Sequence, residues 1–322
     1  MDRMICIVGP TATGKTRLAV ALATALDGEV VSCDSMQIYR GMDVGTAKVT
    51  PDEARGVPHH MIDVADPAEP FSVGRFTDMA APIARDILDR GKTCILAGGT
   101  GLYMDALVLG REFAPYPSTG KREMLEALAD REGIEAVQAI LRTFDPESAA
   151  RLHPSDRRRI IRAVEVYQET GMTITEHDRR SKLVPPRFSP VWIGLNYVNR
   201  EDLYRRIDER VDRMIADGLE QEVERLCAAG VSQTATSMQA IGYKELLRVR
   251  RGEISRETAI DEIKRLSRNY AKRQLTWLRR NPALHWIGLG PDPDFSEVYA
   301  QAGGILREAG FPGAAEIFSD PT

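Results

Sequence analysis

The run Met4-Ile5-Cys6-Ile7-Val8, then Gly9-Pro10-Thr11-Ala12-Thr13-Gly14-Lys15-Thr16, then Leu18-Ala19-Val20-Ala21-Leu22-Ala23, decides the fold. Five apolar residues read as a buried strand, and the alanine- and leucine-rich run after the loop reads as a helix. Strand, glycine-bounded loop and helix form the context in which G-x-x-x-x-G-K-[ST] is a phosphate site rather than a chance match. Backbone N–H groups of Gly9 to Thr16 and the helix N-terminus converge on an anion. Lys15 adds a point charge, Thr11 and Thr13 add hydroxyls, and the Thr16 hydroxyl is placed to ligate a Mg²⁺ that bridges phosphates. A polyphosphate ligand is expected. Whether it is a nucleotide is a separate question.

The next strands place further groups at the same edge. Glu29-Val30-Val31-Ser32-Cys33 reads as a strand that ends in Asp34-Ser35-Met36-Gln37. Ligands of open α/β sheets sit beyond the carboxyl ends of strands, so Asp34 is expected to face the same crevice as the loop. Capping of a following helix is the bland alternative for an aspartate there. Lys92 to Ala97 reads as a third strand, ending in Gly98-Gly99-Thr100-Gly101. An ATPase of this architecture normally carries an acid there, to hold Mg²⁺ and organise a hydrolytic water. This chain offers glycines, which permit close approach of a ligand, and the Thr100 hydroxyl. His59-His60 has no third ligand at a recognisable spacing, so a structural role is expected for the pair.

The totals are those of an ordinary globular chain. Its 322 residues are 43% hydrophobic and 28% charged, with a formal net charge of −4. No apolar run approaches the roughly 18 residues of a membrane span, and Met4–Val8 is too short for a signal segment. The widely spaced Cys6, Cys33, Cys94 and Cys227 contain no C-x-x-C pair, which argues against zinc and a disulfide framework and fits a reducing cytoplasm.

Charge is unevenly spread. Between Pro115/Pro117 and Pro185/Pro186/Pro190 the pattern is helical, over Lys121–Glu132, Ile134–Arg142 and Arg157–Thr170. A helical domain inserted at 116–185, into a core formed by 1–115 and 186–322, is expected. Five arginines and one carboxylate occupy 151–162. Ile160, Ile161 and Val164 can pack inward while Arg158, Arg159 and Arg162 share the outer side. Such a run is usually a solvated face, and here an anionic partner is an equal alternative. After a strand at Val191–Leu195, helices are expected over Glu201–Asp217 and Leu219–Ala228, and another beyond Gly242-Tyr243-Lys244. From Lys264 to Arg280 there are seven lysines and arginines and no carboxylate, with Arg265, Lys272 and Arg279 at heptad spacing. A basic helix with interleaved Tyr270 and Trp277 suits a nucleic-acid backbone. Leu284–Leu289 reads as a final strand, and the tail beyond Gly290 as Gly- and Pro-rich with a short helical patch.

In order along the chain, GPTATGKT at 9–16, DSMQ at 34–37, PHHMID at 58–63, GGTGLY at 98–103, RRIIRAVEV at 158–166, QAIGYKEL at 239–246 and YAKRQLTWLRR at 270–280 resemble the tRNA dimethylallyltransferases. The resemblance runs from residue 4 to about 289. It implies a P-loop NTPase-like parallel sheet flanked by helices, whose loop holds dimethylallyl diphosphate rather than a nucleoside triphosphate. It also implies Mg²⁺, a monomer, and prenyl transfer to N6 of the adenosine 3′ to the anticodon, position 37 of a tRNA. By resemblance Asp34 is the catalytic base and Thr100 hydrogen-bonds in the reaction channel. Gly9, Pro10, Thr11, Ala12, Thr13, Gly14, Lys15, Thr16 and Arg210 would bind the diphosphate. Ser35, Met36 and Gln37 would line the base end. Arg122, the stretch Arg158 to Arg162 (with Arg159, Ile160 and Ile161), Gly242, Tyr243, Lys244, Lys272, Arg273 and Gln274 would meet the anticodon stem-loop. Arg158 departs from the family, which commonly has glutamine there, and an arginine favours phosphate or guanine. A target base must leave its stack to expose N6, so a flipped nucleotide is expected.

Two other enzymes share parts of this pattern: a small-molecule kinase, and a prenyltransferase acting on free adenine nucleotide. A non-enzymatic P-loop switch that binds RNA is a third alternative. The first two leave both basic helices without a purpose, and the third makes Asp34 and Thr100 incidental.

Overall fold

The computed structural model describes residues 2–111 and 119–318. The expected domain boundary at Pro115 and Pro117 lies outside the described residues. The chain forms two compact units, one of residues 1–108 with 187–322 and one of residues 109–186.

The first unit is built on β1 (Arg3–Val8), α1 (Lys15–Ala25), β2 (Gly28–Cys33), the short α2 (Pro51–Ala54), β3 (His59–His60), α3 (Val73–Asp89), β4 (Thr93–Gly98) and α4 (Gly101–Leu109). The second holds α5 (Lys121–Glu132), α6 (Ile134–Phe144), α7 (Pro146–Arg151), α8 (Arg157–Thr170) and α9 (Ile174–Leu183). The chain then returns through β5 (Ser189–Tyr197), α10 (Arg200–Ala216), α11 (Leu219–Ala228), α12 (Tyr243–Arg250), α13 (Arg256–Leu278), β6 (Leu284–Leu289), α14 (Phe295–Glu308) and α15 (Ala314–Ile317).

One six-stranded sheet, ordered β3-β2-β4-β1-β5-β6, is parallel in every pairing. Central parallel strands are covered on both faces, so β1 from Met4 onward and all of β2 are buried at successive positions rather than at alternate ones. Val8 and Cys33 both stand opposite Gly98 in the ladder. Gly9, Asp34 and Gly99 therefore leave the sheet at one level, and three loops open on one crevice. That crevice lies beside β1, where the chain winds to β2 on one side and β5 on the other.

One element takes the structural role expected of it, and another exceeds expectation. His59-His60 is a two-residue edge strand paired with β2. His60 Nε2 contacts Glu29 Oε2 at 2.7 Å, and Arg90 grips the same carboxylate with two hydrogen bonds. The Arg90 hydrogen bond outweighs burial and holds Glu29 at about 2. The tail is also more than a short patch. Asp294 caps the 14-residue α14 by accepting from Ser296 N–H, and Val298, Ala302 and Leu306 join the core beside α1.

The second unit has its own core of Leu125, Ala129, Val137, Leu141, Ala149, Ile160, Ile161, Ala163 and Val164. Asp145 caps α7 through Ser148 N–H and also accepts from Thr175. Sequence periodicity found α5, α6 and α8 but not the polar α7 and α9.

Candidate active site

The loop after β1 turns through left-handed Ala12 and Gly14, with φ of 66° and 79°. Gly14 has a second reason to lack a side chain, because a Cβ there would overlap the Phe295 ring at the start of α14. Arg17 lies over the other part of that ring, 4.3 Å from its centroid. Thr13 donates to Pro10 O at 2.9 Å, and Lys15 Nζ folds back onto the same carbonyl at 2.7 Å. Burial lowers the Lys15 ammonium to about 7, and Arg210 pushes the same way while Asp34 opposes. Burial lowers Arg210 as well, countered by Asp34. Two desolvated cations thus share one carboxylate, an arrangement that a multiply charged anion would relieve.

Asp34 does cap, but a turn rather than a helix. Its Oδ1 accepts from Met36 N–H (2.8 Å) and Gln37 N–H (3.3 Å). Its Oδ2 has no hydrogen-bond partner among the described residues. Thr100 Oγ1 accepts from Ser35 N–H at 3.2 Å, which ties the loop after β4 to the loop after β2. Asp34, Ser35, Met36 and Gln37 share one cavity of about 450 Å³ with Thr11 to Thr16, Arg210, Gly242, Lys244, Tyr270, Arg273 and Gln274. That volume suits a small ligand. The Thr16 hydroxyl is exposed in the cavity and has no partner among the described residues. Its oxygen is a hard donor of the kind that suits a Mg²⁺ held mainly by phosphate oxygens.

Gln37 lines the cavity, yet its amide is engaged inward. Nε2 donates to Thr46 O and Ala47 O, both at 3.2 Å, and Oε1 accepts from Ser32 Oγ at 3.0 Å. The Thr46 loop is held by Glu222, a carboxylate with no exposed surface. Glu222 accepts from Asp43 N–H, Val44 N–H and Gly45 N–H at 2.8, 2.8 and 3.0 Å, and from the Tyr243 hydroxyl at 2.6 Å.

The glycines at the end of β4 and beyond it also admit close approach of protein. A Cβ on Gly98 would overlap the Cys33 carbonyl, one on Gly99 the Gln274 amide, and one on Gly101 the Trp277 ring. Gln274 is 7% exposed and inside the site, with Oε1 accepting from Thr11 N–H (3.0 Å) and Nε2 donating to Gly99 O (3.1 Å). Tyr270 lines the cavity beside Thr100 and Gln274, and burial raises its phenol to about 12.

Other residues expected at an RNA surface are also placed inside. Tyr243 is fully buried, and Ile160 and Ile161 fill the second unit's core. Gly242 caps α12, its N–H donating to Glu245 Oε2 at 2.8 Å. Arg122 forms two hydrogen bonds to Glu165, and Arg162 adds a third. Burial alone would raise the Glu165 carboxyl, but these bonds overcome it and hold it below the usual range. Arg158, Arg159, Lys272 and Arg273 are exposed. The basic stripe on α13 is partly compensated, because Lys264 pairs with Asp212 and Arg268 with Asp208, both at 2.6 Å.

Fold and site together define a P-loop-type α/β protein whose glycine-bounded loop and Asp34 carboxylate open on one cavity. Residues 37–281 match the sequence profile described as IPP transferase, and residues 2–66 match one described as isopentenyl transferase. A tRNA dimethylallyltransferase of Caldanaerobacter subterraneus subsp. tengcongensis is 47% identical over 298 residues, covering 92% of this chain and 95% of that protein. Another, from Geobacillus thermodenitrificans, is 46% identical over 313 residues, covering 95% and 98%. Among solved structures, the full-length tRNA isopentenylpyrophosphate transferase of Bacillus halodurans aligns with a TM-score of 0.70 at 42% identity, over 96% and 98% of the two chains. A eukaryotic dimethylallyltransferase acting on tRNA aligns with a TM-score of 0.81 at 29% identity, over 97% of this chain and 79% of that one. The chain belongs to the tRNA dimethylallyltransferase family.

Proposed function

We propose that this enzyme transfers the dimethylallyl group of dimethylallyl diphosphate to N6 of the adenosine at position 37 of tRNA. The observation that carries the reading is one cavity lined both by an anion cradle and by a half-engaged carboxylate. Lys15, Arg210 and the amides of Gly9 to Thr16 bind the diphosphate and stabilise the charge that gathers as it leaves. The N6 lone pair attacks the allylic C1, and the C1–O bond breaks with its electron pair going to diphosphate. N6 is a weak nucleophile because its lone pair is delocalised into the ring. Asp34 Oδ2 takes the N6 proton as the C–N bond forms. Thr100, fixed by Ser35 N–H and Tyr270, orients the base end. Mg²⁺, held by Thr16 and the diphosphate, would supply further charge neutralisation on the leaving group. Arg158, Arg159, Lys272 and Arg273 are the cationic groups assigned to tRNA phosphates, and residues 116–185 are assigned as a tRNA-binding domain.

Incubation with Mg²⁺ and labelled dimethylallyl diphosphate, offering unmodified tRNA or AMP, tests the reading. Label is expected in tRNA, at an adenosine 3′ to the anticodon. Label in AMP alone would make this a free-nucleotide enzyme. ATP turnover without prenyl transfer would make it a kinase, and ATP binding without any turnover an RNA-binding switch. In the same assay Asp34→Ala is expected to lower turnover about 10²-fold or more while tRNA still binds. Equal loss of binding would demote Asp34 to a structural group.

A further inference from the structure

Three side chains on one face of α13 reach the loops after β1 and β4, and the loop after β2 joins them through Thr100. Tyr270, Gln274 and Trp277 follow the i, i+4, i+7 spacing that aligns residues along a helix. Gln274 Oε1 accepts from Thr11 N–H in the loop after β1, and its Nε2 donates to Gly99 O in the loop after β4. The partners dictate the amide's orientation, since a main-chain N–H needs the oxygen and a carbonyl needs the nitrogen. The Tyr270 phenol lies beside Thr100, whose hydroxyl accepts from Ser35 N–H in the loop after β2. Trp277 covers Gly101 and donates to Asp105 Oδ2 at 3.2 Å. The absence of side chains at Gly99 and Gly101 is what lets α13 come this close.

We infer that Gln274 is a positioning residue for prenyl transfer: with Tyr270 it holds the diphosphate loop in register with the loops carrying Thr100 and Asp34. The inference rests on the transfer reading above and moves Gln274 from the tRNA surface to the site's interior. Reaction requires the allylic carbon, held through its diphosphate, to meet N6, oriented by Thr100 and Asp34. A displacement of about 1 Å between the loops costs about 10²-fold in rate. One buried amide bridging two backbone groups can set that distance, because leaving either group unpaired is unfavourable.

The test uses Gln274→Met, which keeps the length of the side chain and removes both bonds. Calorimetry with dimethylallyl diphosphate and Mg²⁺, without tRNA, is expected to show about tenfold weaker binding. Turnover at saturating substrates is expected to fall about 10²-fold, while the Kd for tRNA alone stays within about twofold. Gly99→Ala, which drives a methyl into the Gln274 amide, is expected to reproduce the pattern. The double variant is then no worse than the worse single, because both act on one contact. Weakened tRNA binding with unchanged diphosphate affinity and unchanged turnover would overturn the inference and return Gln274 to RNA contact. Unchanged values throughout would overturn it as well. If Gln274→Met does not fold, Tyr270→Phe removes a single hydroxyl. It is then expected to lower turnover about tenfold with both Kd values unchanged, and unchanged turnover would overturn the inference. Failure of wild-type protein to bind dimethylallyl diphosphate would instead overturn the transfer reading itself.

Discussion

At the scale of single residues, Lys15 carries the most direct pH prediction. Its ammonium is lowered to about 7, first by burial and then by Arg210, with Asp34 opposing. Only the protonated form attracts a diphosphate, so binding is strongest below pH 7 and weakens as pH rises through that value. Above it, the Kd for dimethylallyl diphosphate is expected to rise up to about tenfold per pH unit. That rise ends where Lys15 titrates in the complex, and proton uptake appears as a dependence on buffer ionisation enthalpy. Lys15→Arg is expected to flatten the slope, since guanidinium does not titrate in this range. A slope that persists in Lys15→Arg assigns the titration to another group. The lysine was legible in the sequence because its motif is local. Its lowered pKa was not, because its burial and the approach of Arg210 arise only through the fold. Asp34 shows the same division: its strand-end position was readable, whereas the split between a bonded Oδ1 and an open Oδ2 required coordinates.

At the scale of elements, helix and strand periodicity located most of the sheet and the long helices, while contacts between elements changed the meaning of several motifs. Glycine density at 98–101 correctly signals close approach. What approaches is Cys33, Gln274 and Trp277, from segments far along the chain. The α14 pattern is obscured by Gly303 and Gly304, so its core contacts at Val298, Ala302 and Leu306 stood out poorly beside Gly- and Pro-rich neighbours. Glu222 gave no local signal at all, yet it fastens the loop over 43–45 to α11. It accepts four hydrogen bonds while fully buried, so Glu222→Gln turns an amide NH₂ toward N–H donors. This variant is expected to lose about 1–3 kcal/mol of stability, read as a lower urea midpoint at unchanged m. Tyr243→Phe, which removes one bond and leaves the three backbone donors satisfied, is expected to lose less, about 1 kcal/mol. Equal stability of Glu222→Gln and wild type would show that the loop is held by other means, such as Lys48, which bonds Tyr39 O at 2.6 Å and Asp43 Oδ1 at 2.7 Å.

At the scale of the whole molecule, a formal net charge of −4 coexists with local cationic surfaces suited to a polyanion. The helical character of the second unit was legible in its periodicity. The division of labour among its arginines was not, because pairing partners such as Glu165 and Asp130 come from other turns and helices. Arg157 bonds Asp130 and the Glu126 carbonyl, and Arg122 and Arg162 bond Glu165. Arg158 is exposed with no side-chain partner among the described residues, and Arg159 has only a 3.8 Å pair with Asp156. These two are therefore the arginines of α8 best able to trade counterions for tRNA phosphates. If each contributes one phosphate contact, the plot of log K for tRNA against log salt becomes shallower by about 1–2 in Arg158→Ala/Arg159→Ala. Affinity for dimethylallyl diphosphate is expected to stay unchanged, because its cradle lies wholly within the first unit. Turnover at saturating tRNA is expected to stay near wild type, since neither arginine lines the cavity. An unchanged salt slope would show that α8 presents a solvated face only, and would leave the phosphate contacts to exposed cations of the first unit such as Arg265, Lys272 and Arg273.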